Sequence, residues 1–358
     1  MLFPYKNISH DMEKMHKFIE RIFFDVWCMA PSTQYGIHLF AANADLYELM
    51  ERLFQKDLAG KLDGSGEYFY VALNEIYQEF KSLSVAEIQE YTNHFYANND
   101  IENACSRNDA CIPVTFASLN ATKQSLNQKL EDFFKNLYSS GFLDLKNTVG
   151  KIGSLTDYYK EFVKENDEGV CPFCGLLPID GEFDPTREAF DHYLPKSKYP
   201  FNSINLKNLA PSCNKCNSGN KRDKDPLHDD AGNRRKAFYP FSTAHTGIEV
   251  TVSIAHKNWS DLKDGDVVIN FGPIGMAEEI GTWKELYRVD QRYVAKCCYR
   301  NGGVSWLNRV FDECQNYKLT PAEMLKAELE TASMAPWIEM RFLKKAFLEG
   351  CDRAGLFT

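Results

Sequence analysis

Apolar residues recur at three- and four-residue intervals through much of the first 165 positions, the spacing of one face of a helix. Between residues 9 and 29, this stripe consists of Met12, Met15, Ile19, Ile22, Phe23 and Val26. Between residues 119 and 138, a second stripe consists of Leu119, Leu126, Leu130, Phe133 and Leu137. The segment Ser84–Glu87 has the spacing of a capping box, in which a hydroxyl and a carboxylate bind free backbone N–H groups. The pattern predicts a mostly helical N-terminal region, residues 1–165, in which the stripes are core faces.

The C-terminal region, residues 241–358, begins with a different pattern. Apolar and polar residues alternate from Ile248 to Ile254, which indicates a half-buried strand. An Asp264-Gly265 turn leads to a second apolar run, Val267–Phe271, so we expect a β-hairpin with a long connection. Helices are predicted to start at Thr282–Glu285 and at Thr320–Glu323, the second with proline at its first helical position. Strands followed by helices are therefore expected here.

A polar break at Glu165–Gly169 separates the helical region from a middle segment, residues 166–240. The 358 residues have room for two to three domains, and the 44% apolar content supports a packed core. We predict an α+β fold in which the middle segment is inserted between a mostly helical N-terminal region and an α/β C-terminal region. No apolar run approaches the roughly 20 residues of a membrane-spanning helix. The N-terminus lacks a signal-peptide pattern, so we expect a cytoplasmic protein without membrane contact.

The charge of the chain is unevenly distributed. The net charge is −9, which argues against a protein that coats nucleic acid nonspecifically. Between Asp191 and Lys236, however, the chain has ten Lys and Arg and five Asp and Glu, a local net charge of +5. The remaining residues, with 31 basic and 45 acidic side chains, have a net charge of −14. This distribution suits a small phosphate-binding site on an otherwise repelling scaffold, and ordinary surface scatter is the alternative.

Four of the eleven cysteines form two Cys-x-x-Cys pairs, Cys171 with Cys174 and Cys213 with Cys216. Two such pairs can surround one ion with four thiolates, a closed tetrahedral site suited to structural Zn²⁺. The alternatives are a redox pair and unrelated free thiols. The 38 residues between the pairs exceed what a minimal zinc ribbon requires. We therefore expect a further function in the stretch that the pairs enclose.

The enclosed stretch carries an ordered set of polar residues: Asp191-His192, Pro195, Asn208-Leu209, Asn217 directly after the second pair, and Lys221 four residues later. In this order, and with both cysteine pairs in place, the segment resembles the HNH nuclease family, also called the ββα-metal finger. The resemblance covers about 55 residues, from Cys171 to Pro226. It implies a ββα-metal finger with zinc knuckles and a metal-dependent endonuclease that hydrolyses phosphodiester bonds of DNA.

The resemblance implies a role for each residue. His192 would be the general base, and Asp191 would bind the catalytic Mg²⁺ or Mn²⁺ through a hard carboxylate oxygen. Asn208 would hold the loop of the base in place, and Lys221 would contact a phosphate as a point charge. Asn217 stands where many members have a second histidine, as in the HNH domains of CRISPR effector nucleases. Because an amide oxygen is harder than imidazole, Asn217 should bind Mg²⁺ in preference to softer ions.

The biological setting is predicted less directly. The layout is similar to anti-phage HNH effectors of the Septu type, which act with an ABC/SMC-like ATPase. A restriction or mobile-element HNH nuclease is the alternative. The chain has no GxxxxGK[ST] motif, so any nucleotide dependence would come from a partner. From another class of protein, a non-catalytic zinc-binding nucleic-acid or adaptor module would need the cysteines and lysines, but it would not need Asp191, His192 and Asn217.

Overall fold

The computed structural model describes residues 1–119, 121–139, 150–244, 247–255 and 262–357. The N-terminal region is helical, as the apolar spacing predicts. Its helices are α1 (Glu13–Arg21), α2 (Ala44–Leu58), α3 (Gly64–Phe80), α4 (Val85–Asn99), α5 (Ile101–Cys105), α6 (Phe116–Leu119), α7 (Gln124–Ser139) and α8 (Leu155–Glu165). Helix α1 continues as a π-helical segment, Ile22–Trp27, and short 3₁₀ turns follow at Ala30–Ser32 and Ile37–Phe40.

Both apolar stripes form core faces. All six residues of the first stripe are buried, along α1 and its π-helical continuation. The second stripe is divided, because Leu119 ends α6 while the other four residues lie buried on α7. The capping box is confirmed at the start of α4. The Ser84 hydroxyl accepts from the Glu87 N–H at 3.3 Å, and the Glu87 carboxylate accepts from the Ser84 N–H at 2.8 Å.

Four short elements organise the middle segment. Strand β1 (Phe190–His192) pairs antiparallel with β2 (Leu209–Pro211), and Asp191 lies opposite Ala210. A 3₁₀ turn, Leu206–Asn208, leads directly into β2, and a π-helical segment, Lys215–Lys221, follows it. The chain order is therefore strand, strand and short helical segment, with the two cysteine pairs before β1 and after β2.

The C-terminal region begins with the predicted hairpin. Strand β3 (Glu249–Ile254) pairs antiparallel with β4 (Val267–Gly272), and Val252 lies opposite Ile269. A 3₁₀ turn at Asp264–Asp266 precedes β4. The helices that follow are α9 (Ala277–Tyr287), α10 (Val289–Cys298), α11 (Ser305–Tyr317), α12 (Pro321–Met334) and α13 (Arg341–Arg353), with a π-helical stretch at Arg300–Val304 and 3₁₀ turns at Ile274–Met276 and Ile338–Met340.

One of the two predicted helix starts in this region is confirmed and the other is wrong. Thr320 caps α12: its hydroxyl accepts from the Glu323 N–H at 3.2 Å, and the Glu323 carboxylate accepts from the Thr320 N–H. Thr282 lies in the middle of α9, which begins five residues earlier at Ala277. The Thr282 hydroxyl donates to the Lys236 carbonyl at 2.7 Å, so a tertiary hydrogen bond engages the group that capping would need.

The three stretches of the chain share one cluster of buried apolar residues. Backbone contacts also join them, for example from the Leu2 N–H to the Pro172 carbonyl at 2.9 Å. Helix α13 packs closely on β3, because a Cβ on Gly350 would lie 2.5 Å from the Val252 carbonyl oxygen. The fold is thus mixed, with many helices and two small antiparallel sheets in the described residues. No helix among those residues has the length and apolarity to cross a bilayer.

Candidate metal centre and catalytic site

The two cysteine pairs meet in the structure. The Sγ atoms of Cys171, Cys174, Cys213 and Cys216 all lie within 4.8 Å of one another, and all four residues are buried. Each pair is shaped by a tight turn, in which the Cys174 and Cys216 N–H groups donate to the Cys171 and Cys213 carbonyls. Gly175 completes the first turn with a φ of 61°, a conformation that favours glycine. No cysteine in the described chain forms a disulfide, so four thiols are free to hold one structural Zn²⁺.

The C-terminal region supports this centre from outside. Arg292 of α10 donates to Cys216 Sγ at 3.2 Å, which places a positive charge beside the thiolates that metal binding requires. Tyr293 donates to the Cys174 carbonyl, and Trp283 of α9 donates to the Phe173 carbonyl, both at 2.8 Å. Sequence reasoning missed these three residues, because they lie about seventy residues or more beyond the cysteine-turn residues they contact and form no motif with them.

A buried ion pair lies at the centre of the enclosed stretch. Lys221 Nζ is 3.0 Å from Asp191 Oδ1, and it also donates to the His192 carbonyl at 2.9 Å. The side chains are 0% and 3% exposed. The second oxygen, Asp191 Oδ2, is buried and has no hydrogen-bond partner. Burial raises the pKa of Asp191, and the charge of Lys221 opposes that rise. The ammonium is thus directed at Asp191, and a phosphate contact by Lys221 stays a prediction.

His192 is fixed by two contacts. Its Nε2 lies 2.9 Å from the Ser203 carbonyl oxygen, and its ring meets the Tyr138 ring edge-on with centroids 4.5 Å apart. Because a carbonyl only accepts, Nε2 carries the proton, and Nδ1 keeps the lone pair of the neutral ring. Burial lowers the pKa of His192 to about 3, a direction that the charges of Lys196 and Lys221 reinforce. The imidazole is therefore neutral at neutral pH, and its role as a general base stays a prediction.

Asn208 ties down the loop that follows His192. It is fully buried, and its side chain binds both sides of the Leu194 backbone, accepting from the N–H at 2.7 Å and donating to the carbonyl at 3.0 Å. A chain of buried amides extends from it. The Asn208 amide donates to Asn202, and Asn202 donates to the Asn98 carbonyl at the end of α4. The predicted positioning role of Asn208 matches these contacts, whereas Asn98 and Asn202 were not foreseen.

Asn217 lies at the start of the helical segment that carries Lys221. Its N–H donates to the Cys213 carbonyl at 3.0 Å, which joins the segment to the cysteine turn. The side chain is partly exposed, and its amide has no hydrogen-bond partner among the described residues. Because four residues are about one helical turn, Asn217 and Lys221 project from the same side of the segment. A role of its amide oxygen as a metal ligand stays a prediction.

A second polar cluster holds the far end of the same loop. The Tyr199 hydroxyl is within 2.8 Å of both oxygens of Asp225, and His228 Nδ1 is 3.2 Å from Asp225 Oδ2. Hydrogen bonds of Asp225 to His228, Tyr199 and a backbone N–H outweigh its burial and lower the pKa of this carboxylate. We interpret the cluster as a structural fastening of the loop to the segment that follows Lys221.

Comparisons with known proteins give one partial likeness. No family model matches the chain, and no solved structure matches it. The chain is similar to "Protein ea31" of Escherichia phage lambda, with 33% identity over 109 residues. The aligned stretch covers 30% of this chain and 29% of ea31, so the chain spans less than a third of this relative's length. The name of ea31 states no activity, and the likeness therefore links part of the chain to a phage protein.

Proposed function

We propose that the chain is a metal-dependent endonuclease of the HNH type that hydrolyses phosphodiester bonds of DNA. One observation carries the proposal. Asp191 and His192 are adjacent on β1, with a carboxylate oxygen that lacks a partner on one residue and a free Nδ1 lone pair on the next. The order of strand, strand and helical segment around these residues supports it, because the family resemblance implies the same order.

The residues present fit a hard divalent cation. Asp191 Oδ2 is a buried, unpartnered carboxylate oxygen, and Asn217 offers an amide oxygen that nothing in the described chain engages. Oxygen ligands of this kind are those that Mg²⁺ and Mn²⁺ prefer. When bound, the cation would supply charge neutralisation on the phosphate. The cysteine cluster fits Zn²⁺ in a structural role, because four thiolates leave no open position for a substrate.

Each of the protein's own residues has a separate role in the proposed hydrolysis. His192 Nδ1 takes a proton from the attacking water as the water oxygen bonds to phosphorus, and the bond from phosphorus to the leaving oxygen breaks. Ser203 fixes the tautomer by accepting from Nε2, and the Tyr138 ring fixes the plane of the imidazole. Asn208 keeps the loop of Leu194 in register with β2. Lys221 holds Asp191 and opposes the cost of burying its charge.

The test is a plasmid-nicking assay on zinc-loaded protein with Mg²⁺, with and without a chelator. His192→Ala should abolish cleavage and leave the fold and zinc content intact, since general bases contribute roughly a hundredfold or more to rate. Loss of its contacts with Ser203 and Tyr138 should lower the melting temperature without unfolding the protein. The matched control is His38→Ala, which removes an exposed histidine from the helical region. Cleavage by His192→Ala within a few-fold of the His38→Ala rate would refute the assignment.

A non-catalytic zinc-binding nucleic-acid or adaptor module is the second candidate, and the ion pair is the observation that favours it. Because the Lys221 ammonium already binds Asp191 Oδ1, part of the carboxylate is satisfied without a metal. Such a module would bind DNA equally well with and without Mg²⁺ and would leave the plasmid intact. An anti-phage role with an ABC/SMC-like ATPase stays a prediction from the resemblance, and the likeness to a phage protein is compatible with the mobile-element alternative.

A further inference from the structure

Two positive side chains lie over aromatic rings near β1, the strand that carries the proposed base His192. Lys196, on the turn after β1, has its Nζ 5.3 Å from the centre of the Tyr138 ring, the same ring that contacts His192. Arg187, before β1, has its guanidinium carbon 5.8 Å from the centre of the Phe190 ring, one residue before Asp191. Both side chains are partly exposed. Arg187 thus precedes β1 and Lys196 follows it, and each contacts an aromatic ring on or next to that strand.

Neither cation has a carboxylate partner in the described part of the chain. Lys196 donates to the Lys135 carbonyl at 3.3 Å, and Arg187 donates to the Glu188 carbonyl at 3.3 Å. Some other cations have carboxylate partners, such as Lys151 and Arg235, whereas others, such as Lys198, have none among the described residues. The chain has 50 acidic residues against 41 basic ones, so acids are not scarce. Lys196 differs from unpaired cations such as Lys198 because its ammonium lies over the ring that contacts the proposed base, so its charge is available there to an anionic ligand.

The surroundings of Lys196 strengthen this reasoning. An ammonium that is partly withdrawn from water loses hydration, and it regains that free energy only through a negative partner. Burial accordingly lowers the pKa of Lys196. The Tyr138 ring and the Lys135 carbonyl orient the ammonium but supply no full negative charge. A phosphate oxygen would supply it, and a nucleic-acid strand presents phosphates at regular intervals.

We propose that Lys196 and Arg187 form a phosphate subsite that holds the DNA backbone next to the bond that is cut. The position of the subsite relative to a cut bond rests on the proposed function, but phosphate binding itself does not. Lys196 and Arg187 act here as binding residues and transfer no proton. Sequence analysis did not identify either residue as a binding residue. A lysine in a basic segment looks like any solvated surface lysine in the sequence, and only the structure shows that Lys196 has no carboxylate partner among the described residues.

The test measures binding separately from cleavage. In a His192→Ala background, which keeps DNA intact, a fluorescein-labelled 30-base-pair duplex is titrated by anisotropy at several salt concentrations. Lys196→Met should weaken binding about tenfold and reduce the slope of log affinity against log salt by about one. Lys198→Met is the matched control, because Lys198 lies two residues away and has no side-chain contact among those described. It should change the affinity less than twofold, and Lys196→Arg should retain binding because it keeps the charge.

Four outcomes decide between these readings. Equal binding by the Lys196→Met and Lys198→Met variants would overturn the subsite, and so would a salt slope that Lys196→Met leaves unchanged. Loss of binding in Lys196→Met with retention in Lys196→Arg would support it. If the parent protein binds the duplex through Lys196 but never cleaves it with Mg²⁺, then the proposed nuclease function fails and the subsite stands.

Discussion

Replacing Lys221 with methionine should destabilise the protein strongly, because it removes one member of a buried ion pair. The substitution keeps the length and apolar stem of the side chain but leaves the Asp191 carboxylate, 3% exposed, without its partner. Leaving a buried charge unpaired costs about 3–5 kcal/mol. The lost hydrogen bond to the His192 carbonyl adds about 1 kcal/mol. We expect the free energy of unfolding to fall by about 4–6 kcal/mol, a large share of the roughly 5–15 kcal/mol typical of a folded protein.

A double-mutant cycle separates the pair from its surroundings. Urea unfolding of zinc-loaded protein is followed for Lys221→Met, Asp191→Asn and the double variant. The double variant should be more stable than Lys221→Met alone, because it contains no unpaired charge. Lys215→Met is the control, since Lys215 is exposed on the same helical segment. It should change the free energy of unfolding by no more than about 0.5 kcal/mol.

The same variants bear on the proposed metal. In Lys221→Met, the Asp191 carboxylate has lost the cation that occupies Oδ1, so Mg²⁺ should stabilise this variant by about 1.4 kcal/mol at ten times its dissociation constant. Mg²⁺ should stabilise Asp191→Asn much less. Lys221→Met unfolding within about 1 kcal/mol of the parent would refute the reasoning about the buried pair. Equal stabilisation of both variants by Mg²⁺ would place the ion elsewhere.

Three other predictions follow from the site and the helical region. Cys213→Ser should reduce bound zinc from about one ion per chain, measured by elemental analysis, and lower the melting temperature; full zinc content with an unchanged melting temperature would contradict the four-thiolate site. Asn217→Ala should abolish cleavage in Mg²⁺, and Asn217→His should widen metal use toward Mn²⁺, Co²⁺ and Ni²⁺ in the nicking assay; normal cleavage by Asn217→Ala would exclude it as a ligand. Burial, reinforced by the charge of Lys207, lowers the pKa of His16 to about 4. As the pH falls, the unfolded chain protonates His16 at a higher pH than the folded chain does. The contribution of His16 to the free energy of unfolding is therefore fully present above pH 6.5, and it falls by about 1–2 kcal/mol between pH 7 and 5. Urea unfolding of the parent and of His16→Gln at both pH values measures it, and an equal pH dependence of the two would contradict it.

Patterns of neighbouring residues correctly predicted those features of the fold that depend on neighbouring residues. The apolar stripes, the capping box at Ser84, the helix start at Thr320 and the hairpin of β3 and β4 were all confirmed, because each depends on residues within a few positions of one another or on strand alternation. The failure at Thr282 has the opposite cause. Its local sequence resembles a capping box, but a hydrogen bond to the distant Lys236 carbonyl engages its hydroxyl. Tertiary contacts of this kind leave no trace in the spacing of residues.

The candidate site divides in the same way. The meeting of the four cysteines could be predicted, because two-residue spacing prepares each pair to share an ion. The partners of the site could not. Ser203 and Tyr138 hold His192, and Arg292 faces Cys216, yet none of them belongs to a recognisable pattern. Their roles exist only once helices from both flanking regions have packed against the middle segment.

The structure shows which charges of the basic segment are compensated within the chain. The net charge of +5 between Asp191 and Lys236 counts every lysine and arginine equally, whether it is buried, paired or exposed. In the structure, Lys221 is fully buried against Asp191, and Arg235 is paired with Glu285, so these two cations are neutralised internally. Lys196 is partly buried, lies near His192 and lacks a carboxylate partner in the described residues. The local net charge therefore only indicates the segment of interest, and the fold determines which of its cations lack a carboxylate partner near the proposed base.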